Sequence, residues 1–239
     1  MDIKQEINNL KTNSKKKFNL SIIFTILILF IYCYFGSFSF FEKTFPQTQD
    51  LHFWKIIYHN LMAFVLFFVF GTIYNKFILK ETLKSSNLQK GNTKLGLIII
   101  GIATLIVPLI ALSTNLDAEM SSTYPLIDFN TYFEWWQILL YFASYIMYYI
   151  GWEYLFRGLL LKGSLEHIGP LGAILVTTLI SALIHTSIGG FGKPMLETLS
   201  AIPAGLIFGY IAYRTDSIYY TIYVHALIGI LTDIFIFLI

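Results

Sequence analysis

The chain has 239 residues, 16 basic and 14 acidic side chains, and a net charge of +2. Its hydrophobic fraction is 56% and its charged fraction 13%, against roughly 45–50% and about 25% in soluble domains. That excludes a disordered chain and argues against a water-soluble globule; the lone Cys33 excludes a disulfide scaffold, and the small net charge gives no case for nucleic-acid binding.

An integral membrane protein of one compact unit is the class that survives. A helix needs about 20 mostly apolar residues to cross a hydrocarbon core of about 30 Å. Seven stretches qualify: Phe18–Phe41, Ile56–Asn75, Leu95–Leu116, Trp135 to about Leu161, Ile168–Ile188, Thr198–Tyr213 and Ser217–Ile239. None shows the alternation of a membrane strand, so the expected fold is all-α, a polytopic transmembrane bundle of about seven to eight helices. The first stretch is longer than the apolar core of a signal peptide and no small-residue cleavage site follows, so it reads as a retained anchor.

Residues 1–17 form a basic segment, residues 18–134 the N-terminal helices and loops, and residues 135–239 a C-terminal membrane core. With the N-terminus in the cytoplasm, 13 of the 16 basic residues fall on the inner side and only Lys43, Lys55 and Lys193 outside. The stretch Thr114–Glu134 holds four acids and no base, as an outer loop should. The cytoplasmic membrane of a bacterium is the expected location. Trp135, Trp136, Tyr148, Tyr149, Tyr219 and Tyr220 lie near span ends and read as interface anchors.

Ionisable groups inside a span cost about 2.5–3.5 kcal/mol on insertion scales and are usually paired or functional. The first three spans carry only His59, near the outer end of the second, where a satisfied interfacial histidine is the plain reading. The C-terminal spans are different: they hold Glu153, Arg157, His185, Glu197, His225 and Asp233. Glu153 and Arg157 are four apart and share a helix face. Glu153 precedes Gly169 by 16 residues and His185 follows it by 16, which puts both about 24 Å from a turn at Gly169–Pro170. Glu197 and Asp233 are each 18 residues from Thr215, about 27 Å, while His225 lies deeper, about 12 Å from Asp233.

A carboxylate and an imidazole can hold and deprotonate a water, and a second imidazole can stabilise an oxyanion. This set suits peptide-bond hydrolysis. Two histidines with carboxylates could also bind zinc, although no His-Glu-x-x-His pair is present. Proton relays use the same groups, so a proton-coupled transporter is a rival; no inverted repeat supports it. Gly189-Gly190-Phe191-Gly192 reads as an outer turn that could form a lip over the site.

The stretch Trp152-Glu153-Tyr154-Leu155-Phe156-Arg157-Gly158 resembles the signature helix of the CPBP family, the intramembrane glutamic proteases related to the type II CAAX prenyl endopeptidase and to bacteriocin-processing enzymes. The family pattern is Glu-Glu-x-x-x-Arg, then Phe-x-x-x-His, then His-x-x-x-Asn or Asp. Here Trp152 stands for the first glutamate, Ser181 for the phenylalanine and Gly229 for the final Asn or Asp, while Glu153, Arg157, His185 and His225 match. A bacterial subset is similar in its Trp-Glu helix, a Lys-Pro-x-x-Glu stretch (here Lys193 to Glu197) and a late aspartate (here Asp233).

The resemblance implies a membrane-embedded CAAX-type endopeptidase. Glu153, His185 and His225 would be catalytic: Glu153 with His185 activates water and His225 stabilises the oxyanion. Arg157, Glu197 and Asp233 would support, with Glu197 an alternative base. No cofactor is expected. The partners would be a peptide or membrane-protein substrate and the lipid bilayer. An inactive membrane scaffold or chaperone of the same fold is the alternative, resting on Trp152.

Overall fold

The computed structural model describes residues 3–132, 134–186 and 192–239, with side chains from Thr12 onward. Helix α1 (Ile3–Phe35) carries the basic N-terminal stretch straight into the first span. A short α2 (Phe38–Thr44) starts at Ser37, whose hydroxyl accepts from the Phe40 N–H at 3.1 Å. The second crossing joins α3 (Leu51–Ala63), a π-helical turn (Phe64–Phe70) and α4 (Gly71–Phe77). Helix α5 (Thr93–Ser113) begins at the Asn92 cap, and a short α6 (Ala118–Thr123) at the Asp117 cap.

The C-terminal half follows as α7 (Trp135–Glu153), a second π-helical stretch (Tyr154–Leu160), α8 (Leu161–Leu183), α9 (Met195–Thr215) and α10 (Tyr219–Leu238). Among the described residues six helical stretches are long and apolar enough to cross a membrane. One of them, Trp135–Leu183, has 49 residues, or about 73 Å of helix, twice what a crossing needs. It is two passes. Gly169 leaves the helical region at φ 72°, ψ 171°, and Pro170 follows with no N–H to donate. The ring centroids of Trp152 and His185, 33 residues apart in the chain, lie 5.5 Å from each other. An unbroken helix would hold them about 50 Å apart. Among the described residues this makes seven passes, one for each apolar run of the sequence.

Burial is inverted relative to a soluble protein. Phe30, Leu105 and Leu109 are largely exposed on the outside of the bundle. Asn60, Ser144, Glu153, Arg157, Thr177, Thr178 and Asp233 are buried within it. This is the distribution a lipid-facing surface requires. Small residues let the backbones touch: a Cβ on Gly151 of α7 would lie 2.7 Å from the Ala63 carbonyl oxygen of α3.

One rim of the bundle is tied by polar contacts. Lys17 pairs with Glu81 at 2.7 Å, and Lys162 with Asp216 at 2.6 Å. The second contact fixes the depth of the turn between α9 and α10. It sits beside Lys162, seven residues or about 10 Å before Gly169, so the two turns are not at one level.

Candidate active site

That offset explains which groups meet. Counting from a common plane places His225 below Glu153, yet the raised turn lifts α10 and brings them together. His225 Nδ1 lies 2.7 Å from Glu153 Oε1. Asp233, expected at their level, is carried about 12 Å further along α10. There it is fully buried and accepts a hydrogen bond from the Tyr141 hydroxyl. Tyr141 is twelve residues before Glu153 on α7, so Asp233 is not in direct contact with the histidines.

Glu153 is fully buried. Besides His225 it meets Arg157, whose Nη1 is 3.4 Å from the same Oε1. The guanidinium lies over the rings of Phe156 and Phe208 at 5.8 and 5.6 Å. Glu153 Oε2 meets no donor in hydrogen-bond geometry among the described residues. The Thr221 hydroxyl nearby donates instead to the Ile218 carbonyl at 3.0 Å. Toward an ionised Glu153 paired with Arg157, His225 Nδ1 is the donor, and in the neutral ring Nε2 keeps a lone pair.

His185 is set by a second contact. Its Nδ1 is 2.6 Å from the Ser181 carbonyl oxygen, which can only accept. Nδ1 therefore carries the proton, and Nε2 of neutral His185 is also an acceptor. The His185 carbonyl accepts from the Lys193 N–H at 2.8 Å, closing the connection to α9. Of the glycine stretch expected as a lip, Gly189, Gly190 and Phe191 lie outside the described residues.

Glu197 stands in the first turn of α9, a quarter exposed. The Tyr124 hydroxyl donates to its Oε2 at 2.6 Å, and Lys193 Nζ lies 3.6 Å from its Oε1. Lys193 Nζ also donates to the Tyr124 oxygen at 2.6 Å. Burial, with the Glu197 carboxylate adding to it, holds the Tyr124 phenol well above its ordinary range. Tyr124 is therefore a neutral donor.

Two cavities meet at these residues. A large one of about 610 Å³ runs between α5, α9 and α10, with apolar walls such as Ile106, Val107, Ile207 and Ile228. A small one of about 40 Å³ is walled by Trp152, Tyr148 and Lys193 among others. That is room for a water. His185, Glu197, His225, Tyr145 and Tyr149 line both. Glu153 lines neither; it lies behind His225.

Tyr149 and Tyr124 were not among the expected site residues. Tyr149, read as an interface anchor, is buried at 6% exposure with its ring 4.4 Å from that of His225. Its spacing, four residues before Glu153 on one helix, was the available signal. Tyr220 is likewise buried, and its hydroxyl donates to the Lys90 carbonyl. Tyr124 lies 61 residues before His185, in a loop, and no spacing announces it. His59 is satisfied as expected, with Nδ1 at 2.7 Å from the Gly36 carbonyl and Nε2 at 2.8 Å from the Tyr32 hydroxyl. Among the described residues no three His, Cys, Asp or Glu side chains converge as metal ligands.

Neither the curated proteins nor the solved structures include a match to this chain. Residues 134–231 match the family model described as Type II CAAX prenyl endopeptidase Rce1-like. The match spans Glu153, Arg157, His185, Glu197 and His225 and ends before Asp233. The C-terminal membrane core of this integral membrane protein thus belongs to the CPBP/CAAX protease family.

Proposed function

We propose that the chain is an intramembrane endopeptidase that hydrolyses a peptide bond of a membrane-associated protein or peptide with a water activated by the Glu153–His225 pair. The observation that carries this is the 2.7 Å contact between Glu153 and a histidine whose ring lines a water-sized cavity. A buried carboxylate that accepts Nδ1–H fixes the imidazole and stabilises its protonated form. Nε2 of His225 then takes a proton from a water also held by Nε2 of His185. The water oxygen bonds to the scissile carbonyl carbon and the C=O electron pair moves to oxygen. As the carbonyl re-forms, the C–N bond breaks and His225 returns the proton to the leaving nitrogen. Glu197, at the junction of both cavities, is the alternative base. The apolar cavity suits a lipid-soluble part of the substrate.

This assigns Glu153 a role through His225 rather than direct contact with water. Membership of a protease family supports the reading. We place the chain in a bacterial cytoplasmic membrane with its N-terminus in the cytoplasm, on its charge asymmetry. The scaffold reading draws on one observation, that Glu153 touches neither cavity.

The test is cleavage of a membrane-anchored peptide library by the purified chain in detergent. Wild type is compared with Glu153→Gln, Glu197→Gln, His185→Ala and His225→Ala. The endopeptidase reading expects loss of about 10²–10⁴-fold in kcat for Glu153→Gln and His225→Ala, with the fold retained. Cleavage that survives both substitutions, or none by wild type, overturns it in favour of a scaffold.

A further inference from the structure

Both site histidines are short of a proton to give. Neutral His185 commits its N–H to the Ser181 carbonyl, and neutral His225 commits its own to Glu153. Both Nε2 atoms are acceptors. Arg157 lines neither cavity, being covered by Phe156 and Phe208 behind Glu153. Hydrolysis of an amide nevertheless develops a negative oxygen, which needs a donor aimed at it.

Tyr149 is placed to be that donor. It lines both cavities at their junction, and its ring lies 4.4 Å from that of His225. Its hydroxyl occupies the space beside Gly229 of α10, where a Cβ would stand only 2.0 Å from that oxygen. Any other residue at position 229 would push the phenol away. Gly229 therefore acts as the seat of the Tyr149 hydroxyl, and it faces the large cavity itself.

We propose that Tyr149 is a catalytic residue whose hydroxyl, seated by Gly229, donates the hydrogen bond that stabilises the oxyanion beside His225. The inference rests on the endopeptidase reading above. No covalent step is added: the phenol keeps its proton throughout, and the proton taken from water still travels by His225 to the leaving nitrogen. The oxyanion role expected of His225 passes to its neighbour, which leaves the imidazole free to act as the base.

The experiment compares wild type, Tyr149→Phe, the volume swap Tyr149→Ala/Gly229→Asn, and Glu153→Gln as a dead control. The full chain in detergent is used with the membrane-anchored peptide that wild type cleaves. Tyr149→Phe removes one oxygen and keeps the ring on His225, so melting should stay near wild type. Loss of one oxyanion donor predicts a fall of about 10²–10³-fold in kcat with KM within a few-fold. The swap returns an amide donor from the opposite helix and should recover part of that loss. A packing role alone would leave kcat of Tyr149→Phe within a few-fold of wild type; with Glu153→Gln still dead, that result overturns the assignment of Tyr149 and spares the endopeptidase. A wild type that cleaves nothing overturns both. Recovery absent in the swap, in a protein that melts as wild type, also counts against Tyr149 as donor.

Discussion

Glu153 and Arg157, four apart on one helix, are both sealed from solvent, and Oε1 of Glu153 serves Arg157 and His225 together. Removing one partner of a buried pair leaves a charge with no compensation and costs about 3–5 kcal/mol. Replacing both with apolar side chains of similar size is often neutral. Arg157→Met is therefore expected to melt well below wild type. Glu153→Leu/Arg157→Met should recover most of that stability and none of the cleavage. Thermal melts of the three proteins in one detergent check this; a single variant as stable as wild type would show that Glu153 is not held as an anion by Arg157.

Much of this architecture is legible in the sequence. The apolar runs and Gly169–Pro170 announce seven crossings, and Glu153, His185 and His225 stand out as polar residues where lipid should be. Depth is not legible, because rise per residue measures distance from a turn and says nothing of where the turn sits. The Lys162–Asp216 contact raises one turn by about 10 Å, and that shift pairs Glu153 with His225 and moves Asp233 away. Tyr149 escaped for a different reason. A tyrosine near a span end serves equally as an anchor or as an inward donor, and in the sequence only its spacing of four from Glu153 favours the second. In the structure its burial and the space beside Gly229 settle that it points inward.

Asp233 separates the counted depth from the observed one. Buried against Tyr141, it has Oδ1 without a donor among the described residues. Asp233→Asn keeps an acceptor for the Tyr141 hydroxyl and stays clear of the histidines. Its cleavage rate is expected to remain within a few-fold of wild type, while Tyr141→Phe, which strands the carboxylate, destabilises by about 1–3 kcal/mol. Steady-state rates and melts of both variants decide it. A loss in Asp233→Asn as deep as in Glu153→Gln would return Asp233 to the site.

Tyr124 makes a pH prediction. Its phenol is held above its ordinary range by burial first and by the Glu197 carboxylate second. A group whose pKa is raised on folding adds stability that is complete below the unfolded value, about 10 for tyrosine, and is lost as pH climbs toward the folded value. Wild type should therefore lose melting temperature above about pH 10, and Tyr124→Phe should lose less of it over the same range. The comparison is the difference between the two melting curves from pH 8 to 11. Parallel curves would remove Tyr124 as the alkaline-sensitive group.

The seam between α3 and α7 sets where Glu153 stands. Gly151 is two residues before it, and a Cβ there would meet the Ala63 carbonyl at 2.7 Å, backbone against side chain with nothing flexible to yield. Gly151→Ala must separate the two helices, so it is expected to destabilise by about 1–3 kcal/mol and to cut cleavage by shifting Glu153 from His225. Gly101 in α5 is the matched control, since a Cβ there meets nothing within 4 Å. Gly101→Ala gains helix propensity, up to about 1 kcal/mol, and leaves cleavage untouched. The two glycines are alike in residue type and in helical setting, so opposite signs in melts of Gly151→Ala and Gly101→Ala would trace the loss to the close approach of α3. Equal effects would mean that the seam is looser than its geometry and that Glu153 is positioned from α10 instead.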